Sequence, residues 1–177
     1  MNTQNTILAG FGGQGILFAG KVMAYAGLIE GKEISWLPSY GPEMRGGTAN
    51  CSICISDEPI GSPLVVNPNV LGVMNAPSYD KFIGSVEKGG IVVVDSTLIS
   101  KKTDRADVSA YYIEATSLAD EKGFHGLANM IILGKILKET GFASMDSVKK
   151  SLEKCVPPKK AQLLESNLKA IELGMSL

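Results

Sequence analysis

Residues 10–15, GFGGQG, are the part of the sequence best suited to bind a phosphate group. They match the pattern G-x-G-x-x-G, and they lie between a short apolar run and a stretch rich in Ala, Leu, Met and Val. Glycines in this context let backbone N–H groups approach a diphosphate, and the start of the following helix adds a favourable dipole. We call residues 10–15 the glycine loop. We expect Gly12, Gly13, Gln14 and Gly15 to contact an anionic ligand, with a tight turn that binds nothing as the alternative.

The glycine loop lacks the partners of two common nucleotide sites. A dinucleotide site also needs a carboxylate near the end of the second strand to hold the ribose, but the sequence at residues 36–39 is WLPS. The carboxylates of Glu30 and Glu33 lie at the wrong end of that strand. No Gly-Lys-Ser/Thr follows the loop, so a nucleotide-hydrolysing P-loop is equally disfavoured. A free-standing nucleotide-binding or sensor domain is kept as an alternative function.

Residues 39–48, SYGPEMRGGT, form a second candidate binding segment, which we call the second loop. It combines an aromatic ring, a carboxylate and a guanidinium with three glycines and a proline, which is unusual for a segment that only connects two strands. Because it follows the second predicted strand, we expect it at the same sheet edge as the glycine loop. Arg45 can bind a carboxylate or phosphate through two parallel hydrogen bonds from its guanidinium group. Alternatively, it can pair with Glu43 or with a partner subunit for structural reasons. The candidate binding residues of this loop are Ser39, Tyr40, Glu43, Arg45, Gly46 and Gly47.

The three cysteines are too few for an all-cysteine metal cluster. Cys51 and Cys54 form a CxxC, and Cys155 lies far along the chain. Iron–sulfur clusters and structural zinc sites usually need four ligands. Residues 49–56 are predicted as a strand, in which residues three apart point to opposite faces, so the CxxC thiols cannot easily share a metal or close a disulfide. We expect ordinary buried cysteines and no metal site.

Two other side chains are weaker candidates for a functional role. His125 is the only histidine, and without a companion base or metal ligand we expect it to pack against or cap an apolar helix. Asp95 ends the most apolar predicted strand, where it can contact a ligand or cap the following turn. No G-x-S-x-G turn and no usefully spaced pair of carboxylates is present. The sequence therefore shows no catalytic machinery of its own.

The composition excludes several classes of protein. The chain has 177 residues, which we interpret as one domain, 1–177. Lys and Arg total 17 against 18 Asp and Glu, a net charge of −1, whereas a nucleic-acid binder needs a basic stripe. No basic run exceeds two residues, and the polar start is followed by an apolar run that glycines interrupt. We expect no membrane contact, no secretory signal and a cytoplasmic location.

Short β-rich runs alternate with helical stretches along the chain. The predicted strands cover residues 6–9, 33–37, 50–56, 70–74, 91–94 and 111–113, with Pro38 ending the second. The predicted helices cover residues 16–29, a stretch from 77, 127–139, 145–153 and 161–173. The run IVVV at 91–94 is continuously apolar, which is typical of a parallel strand covered on both faces. The sequence predicts an α/β three-layer sandwich with a mostly parallel, Rossmann-like sheet.

The two loops together resemble those of one family, the gamma subunit of 2-oxoacid:ferredoxin oxidoreductases. The likeness covers essentially the whole chain. Beyond the two loops it includes NCS at 50–52, IGSP at 60–63, VMNAPSY at 73–79 and NLKAIELG at 167–174. Within the family, MRGGTA at 44–49 is nearer to the 2-oxoglutarate or branched-chain type than to the pyruvate type.

The resemblance implies a role in a large enzyme assembly. Such an assembly decarboxylates a 2-oxoacid on thiamine diphosphate and Mg, passes electrons through [4Fe–4S] clusters to ferredoxin, and transfers the acyl group to coenzyme A. The cofactors are expected on alpha, beta and delta partner subunits. This chain would complete the complex and help to hold coenzyme A, without a redox centre of its own. Alone, we expect it to be inactive and able to form a homodimer; a purely structural interaction module is the remaining alternative.

Overall fold

The structure is a computed structural model that describes residues 3–40 and 48–177. This part of the chain contains six strands and six α-helices, of which the last four helices are consecutive. The strands are β1 (Thr3–Phe11), β2 (Glu33–Tyr40), β3 (Thr48–Ser56), β4 (Val70–Val73), β5 (Ile91–Asp95) and β6 (Ser109–Ile113). The helices are α1 (Ile16–Ile29), α2 (Ala76–Phe82), α3 (Ala115–Glu121), α4 (Ala128–Thr140), α5 (Met145–Cys155) and α6 (Leu163–Ser176).

The six strands form one sheet in the order β2-β3-β1-β4-β5-β6. β3 runs antiparallel to both of its neighbours, and the other neighbouring pairs are parallel. The carboxyl ends of β1, β2, β4, β5 and β6 therefore meet at one edge of the sheet, which we call the carboxyl edge. The predicted mostly parallel α/β sheet is confirmed.

Apolar side chains cover both faces of the sheet. On one face, α1 and the helices from α3 to α6 pack against residues such as Leu8, Ile53 and Val93. On the other face, α2 and the segment after β5 supply Tyr79 and Ile99 to a second, smaller core. Burial on both faces explains the continuous apolar character of β5 and completes the three layers.

Two glycines let α4 and α6 pack with their backbones in contact. A Cβ added at Gly134 would overlap the carbonyl group of Ile171, and one added at Gly174 would overlap the carbonyl group of Ile131. Each glycine therefore faces the backbone of the opposite helix. The close crossing fixes α6 against the large core.

The structure departs from the sequence predictions at three places. Pro38 does not end β2, which continues to Tyr40. β2 lies at the sheet edge, where a residue without an N–H is tolerated. The helix α3 was not predicted. His125 neither packs nor caps: its ring is 77% exposed and contacts Asp120, with Nδ1 3.2 Å from Oδ1.

The two CxxC thiols point to opposite faces of β3, as predicted. Cys51 belongs to the large core beneath α1, and Cys54 belongs to the smaller core. Burial raises the pKa of Cys51 to about 12 and also raises the pKa of Cys54. Both thiols are therefore protonated at neutral pH. Within residues 3–40 and 48–177, no cluster of three or more His, Cys, Asp or Glu side chains is arranged to hold a metal ion.

Across the same described ranges, none of the helices combines the length and the apolar character that a bilayer span requires.

Candidate functional site

The glycine loop connects β1 to α1 at the carboxyl edge. Gln14 N donates to Phe11 O over 3.2 Å, which closes a tight turn. Gly13 and Gly15 have φ values of 94° and 72°, in the left-handed region that strongly favours glycine. The loop therefore needs glycine at these two positions for its backbone path alone.

The side chain of Gln14 ties the glycine loop to the end of β4. Its Oε1 accepts from Phe11 N over 2.6 Å, and its Nε2 donates to Met74 O over 3.1 Å. A Cβ at Gly10 would lie 2.5 Å from that Oε1, so Gly10 leaves the room that the amide needs. Gln14 was predicted as a ligand contact, and the structure gives its amide a second role, which is to position the loop.

Asn129 supports the loop from the opposite side and was missed by the sequence analysis. It is 4% exposed, and its Nδ2 donates to Gly15 O over 3.0 Å while its Oδ1 accepts from Met130 N. A Cβ at Gly15 would overlap the Asn129 amide. The signal in the sequence was a polar residue in the first turn of α4, directly before the apolar run MIIL at 130–133.

The outer side of the loop is open. Gly12 and Gly13 are exposed, and a Cβ at Gly13 would meet nothing within 4 Å. Within the described part of the chain, their two amides have no hydrogen-bond acceptor. Behind them α1 begins without a side-chain cap and without an acidic residue in its first turn. The loop thus presents N–H donors that lack an acceptor among residues 3–40 and 48–177, at the positive end of a 14-residue helix, an arrangement suited to an anion.

The loop lies at the point where the connections change face. β1 continues into α1 on one face of the sheet, whereas its parallel neighbour β4 continues into α2 on the other. In open α/β sheets, ligands bind in the crevice outside the strand ends at such a switch point.

A cavity of about 180 Å³ opens beside the loop at this switch point, and we call it the edge cavity. The ends of β1, β4 and β5 and the starts of α3 and α4 surround it. Its walls include Gly13, Gln14, Met74, Leu98, Ala119 and Asp120. Leu98 is 44% exposed, a large fraction for a leucine at the rim of a cavity.

The second loop leaves the sheet at the same edge as the glycine loop. Tyr40 of β2 and Gly10 of β1 are both paired with Ala49 of β3, one on each side. With neighbouring strands about 4.8 Å apart, the two starting points are separated by about 10 Å. The predicted shared edge is therefore confirmed. Ser39 is exposed beside Asn50.

The remaining predicted residues of the second loop are Glu43, Arg45, Gly46 and Gly47, and they lie outside the described residues.

The sheet order counts against a dinucleotide site. The ribose-binding carboxylate of such a site lies at the end of the strand next to β1. Here antiparallel β3 is inserted between β1 and β2, and β2 ends in Ser39 and Tyr40 without a carboxylate. The structure therefore lacks both features that a free-standing NAD- or FAD-binding domain requires, a second parallel strand directly beside β1 on that side and a carboxylate at its end.

Asp95 stabilises turns at the carboxyl edge. It is fully buried; its Oδ1 accepts from Thr97 N over 3.1 Å, and its Oδ2 accepts from the Thr116 hydroxyl over 2.5 Å. Of the two roles left open for this residue, the structure supports the capping role. It holds the turn after β5 and the start of α3 around the edge cavity.

The class of protein that the fold defines is an α/β domain with a Rossmann-like sheet and an open glycine loop at its switch point, the place where such sheets bind ligands. Residues 5–177 match the family described as pyruvate ferredoxin/flavodoxin oxidoreductase. The chain therefore belongs to this family, and the predicted resemblance is confirmed.

The similar proteins point to one subunit type. The chain is 39% identical over 168 residues to ketoisovalerate oxidoreductase subunit VorA of Methanothermobacter marburgensis, covering 94% of this chain and 35% of that protein. It is 39% identical over 153 residues to 2-oxoglutarate synthase subunit KorC of Methanocaldococcus jannaschii, covering 85% and 82%. The gamma subunit of a keto/oxoacid ferredoxin oxidoreductase from Geobacter sulfurreducens has a TM-score of 0.83 at 28% identity, covering 98% and 96%.

Two consequences follow from these similarities. The prediction that the chain resembles the 2-oxoglutarate or branched-chain type is confirmed by KorC and VorA. The chain spans only about a third of the length of VorA, but nearly the whole of the Geobacter gamma subunit.

Proposed function

We propose that this chain is the gamma subunit of a 2-oxoacid:ferredoxin oxidoreductase and that its glycine loop binds coenzyme A in the assembled enzyme. The reaction is the oxidative decarboxylation of a 2-oxoacid to an acyl-CoA, with ferredoxin as the electron acceptor. The chain acts as one domain, 1–177, in the cytoplasm. Alpha, beta and delta partners hold thiamine diphosphate, Mg and the [4Fe–4S] clusters.

The observation that carries the proposal is the open glycine loop. The exposed amides of Gly12 and Gly13 and the start of α1 offer donors to a diphosphate. Two participants in this reaction carry a diphosphate, thiamine diphosphate and coenzyme A, and because we place thiamine diphosphate on the partner subunits, coenzyme A is the ligand proposed for this loop. The second loop begins about 10 Å away, and we propose that its residues, Arg45 above all, bind the same ligand or face a partner subunit.

A glycine substitution tests the role of the loop in the reconstituted complex. Gly13→Ala places a methyl group in the open space over the loop and forces alanine into a left-handed backbone. The backbone strain costs about 1–2 kcal/mol. We expect the apparent Michaelis constant for coenzyme A to rise at least about tenfold, equivalent to 1.4 kcal/mol, while assembly is retained.

Gly89→Ala is the matched control. Gly89 has φ 77° and open space around its Cβ position, but it lies before β5 at the opposite edge of the sheet. It should lose similar stability and leave the coenzyme A dependence unchanged. If both variants behave alike toward coenzyme A, the proposed role of the loop is wrong. If Gly13→Ala alters assembly alone, the chain is a structural module.

A further inference from the structure

The edge cavity has a polarity that selects among ligand groups. Four apolar side chains, Met74, Leu98, Ala119 and Ala128, contribute to its walls. Its volume of about 180 Å³ equals the share of about six water molecules in the liquid. That space suits one flat ring system or a short length of chain, and it is smaller than a whole drug-sized ligand requires.

The polar groups of the edge cavity offer mainly acceptors. Asp120 contributes a carboxylate, whose only partner among the described residues is His125. The hydroxyl of Thr116 donates its hydrogen to Asp95, so only its lone pairs remain. Gln14 has both amide groups engaged, with one N–H left over. Among the side chains, the groups left free are therefore mostly acceptors, and they suit a largely apolar ligand group that donates a hydrogen bond.

The carboxylate of Asp120, whose side chain is 65% exposed, disfavours phosphate in the cavity through like-charge repulsion that solvent partly screens. A diphosphate is instead favoured outside it, on the exposed amides of Gly12 and Gly13. Because Gly13 also lines the cavity, a ligand with its phosphates on the loop can reach inside with a neighbouring group.

We infer that the edge cavity binds the adenine base of coenzyme A, with the exocyclic amino group of the base donating to Asp120. This inference rests on the proposed function. Adenine is flat, has two apolar faces and carries an amino donor, which matches the walls and the carboxylate. The thiol-bearing arm of coenzyme A fits less well, because its two amide groups would lie between largely apolar walls.

Leu98 lies at the solvent-exposed rim of the cavity. It is 44% exposed, and it follows β5 in the turn that the buried Asp95 holds in place. An adenine base in the cavity would cover this apolar surface, which explains why a leucine lies at an otherwise open rim.

The test compares coenzyme A with its etheno derivative, in which a two-carbon bridge blocks the amino group. Binding to the assembled complex is measured by isothermal titration, and turnover is measured in parallel. The wild-type complex should bind coenzyme A about tenfold more tightly than the derivative, since a hydrogen bond to a charged group contributes about that factor. Asp120→Ala should weaken coenzyme A binding about tenfold and leave the derivative unchanged.

Conservative and matched variants separate a contact from a structural effect. Asp120→Asn keeps an acceptor and should retain part of the discrimination between coenzyme A and the etheno derivative. Leu98→Ala should weaken both ligands equally. Leu163→Ala removes another leucine of similar exposure, 40%, on α6, and it should weaken neither.

Failure of the inference differs from failure of the proposed function. If Gly13→Ala weakens coenzyme A binding but Asp120→Ala does not, or weakens both ligands equally, the adenine assignment is wrong and the proposed function stands. If neither variant changes coenzyme A binding, the proposed function is wrong as well.

Discussion

The contact between Gly10 and Gln14 predicts a strong energetic coupling at the base of the candidate site. In Gly10→Ala the new methyl group lies 2.5 Å from Gln14 Oε1 and 3.0 Å from the tip of Ile16. If the Gln14 amide stays in place, overpacking by the methyl group lowers the free energy of unfolding by about 1–3 kcal/mol. If the amide moves instead, it loses its hydrogen bonds to Phe11 and Met74. Two hydrogen bonds contribute about 1–3 kcal/mol together, so both routes give the same range.

The double variant, which combines Gly10→Ala with Gln14→Ala, should be more stable than the sum of the single effects allows. With the Gln14 amide absent, the atoms nearest to the methyl group introduced at position 10 are those at the flexible end of Ile16. Replacing a strand glycine by alanine then gains about 0.5–1 kcal/mol. We therefore expect a coupling energy of about 1–3 kcal/mol between the two positions.

Urea unfolding of the four proteins, followed by circular dichroism, measures this coupling. Gly27→Ala combined with Gln14→Ala is the control, because Gly27 packs against Ile34 and Ile55 at the far end of α1. That pair should be additive. Additive effects for the Gly10 and Gln14 pair would show that the amide does not occupy the space beside Gly10, and the description of the loop would be wrong.

Three further predictions concern the helices and the cysteines. Gly134→Ala should lower the free energy of unfolding by about 1–3 kcal/mol in urea titrations, because its methyl group overlaps the backbone at Ile171. Hydrogen bonds from Ser144 lower the pKa of the Glu30 carboxyl group to about 2 from 4.5. The ionised carboxylate therefore stabilises the folded chain fully above pH 4.5, and this contribution to the free energy of unfolding is lost as the pH falls to about 2. Glu30→Gln should unfold with a weaker pH dependence in that window. Cys51, with its pKa raised to about 12 by burial, should resist iodoacetamide at pH 8 until the chain is unfolded, as measured by mass spectrometry.

For each of these three predictions, one experimental result would contradict it. Gly84→Ala, with open space around its Cβ position, should not destabilise the chain. If Gly134→Ala is equally harmless, α4 and α6 do not cross in backbone contact. If Glu30→Gln unfolds with the same pH dependence as the wild type, the hydrogen bond between Ser144 and the Glu30 carboxylate does not stabilise the chain. Rapid alkylation of Cys51 in the folded chain would show that β3 is accessible from the α1 side.

Much of the fold was predictable because its signals are local. The run IVVV and the boundaries of α1 follow from residue type and periodicity, and the structure reproduces both. The path of the glycine loop follows in the same way, since Gly13 and Gly15 occupy the left-handed region. By contrast, Pro38 was taken as the end of β2, because its tolerance depends on the edge position of the strand, which no local pattern reveals.

The candidate site was only partly predictable because its supports are distant in sequence. Gln14 reaches Met74 and Asn129 reaches Gly15 through tertiary contacts that periodicity does not encode. The insertion of β3 between β1 and β2 is likewise a property of the assembled sheet. The glycine pattern predicted an anion site at this edge, which stays a prediction, and the missing carboxylate at the end of β2 was the sign in the sequence against a dinucleotide site.

Hydrogen–deuterium exchange in the assembled complex tests the central claim most directly. The amides of Gly12 and Gly13 are exposed and have no hydrogen-bond acceptor in the described chain, so they should exchange fast without coenzyme A. Saturating coenzyme A should slow the exchange of residues 11–17 measurably, because its phosphates accept from these amides. Unchanged exchange in this segment, with protection appearing only in partner subunits, would contradict the claim that this chain binds coenzyme A.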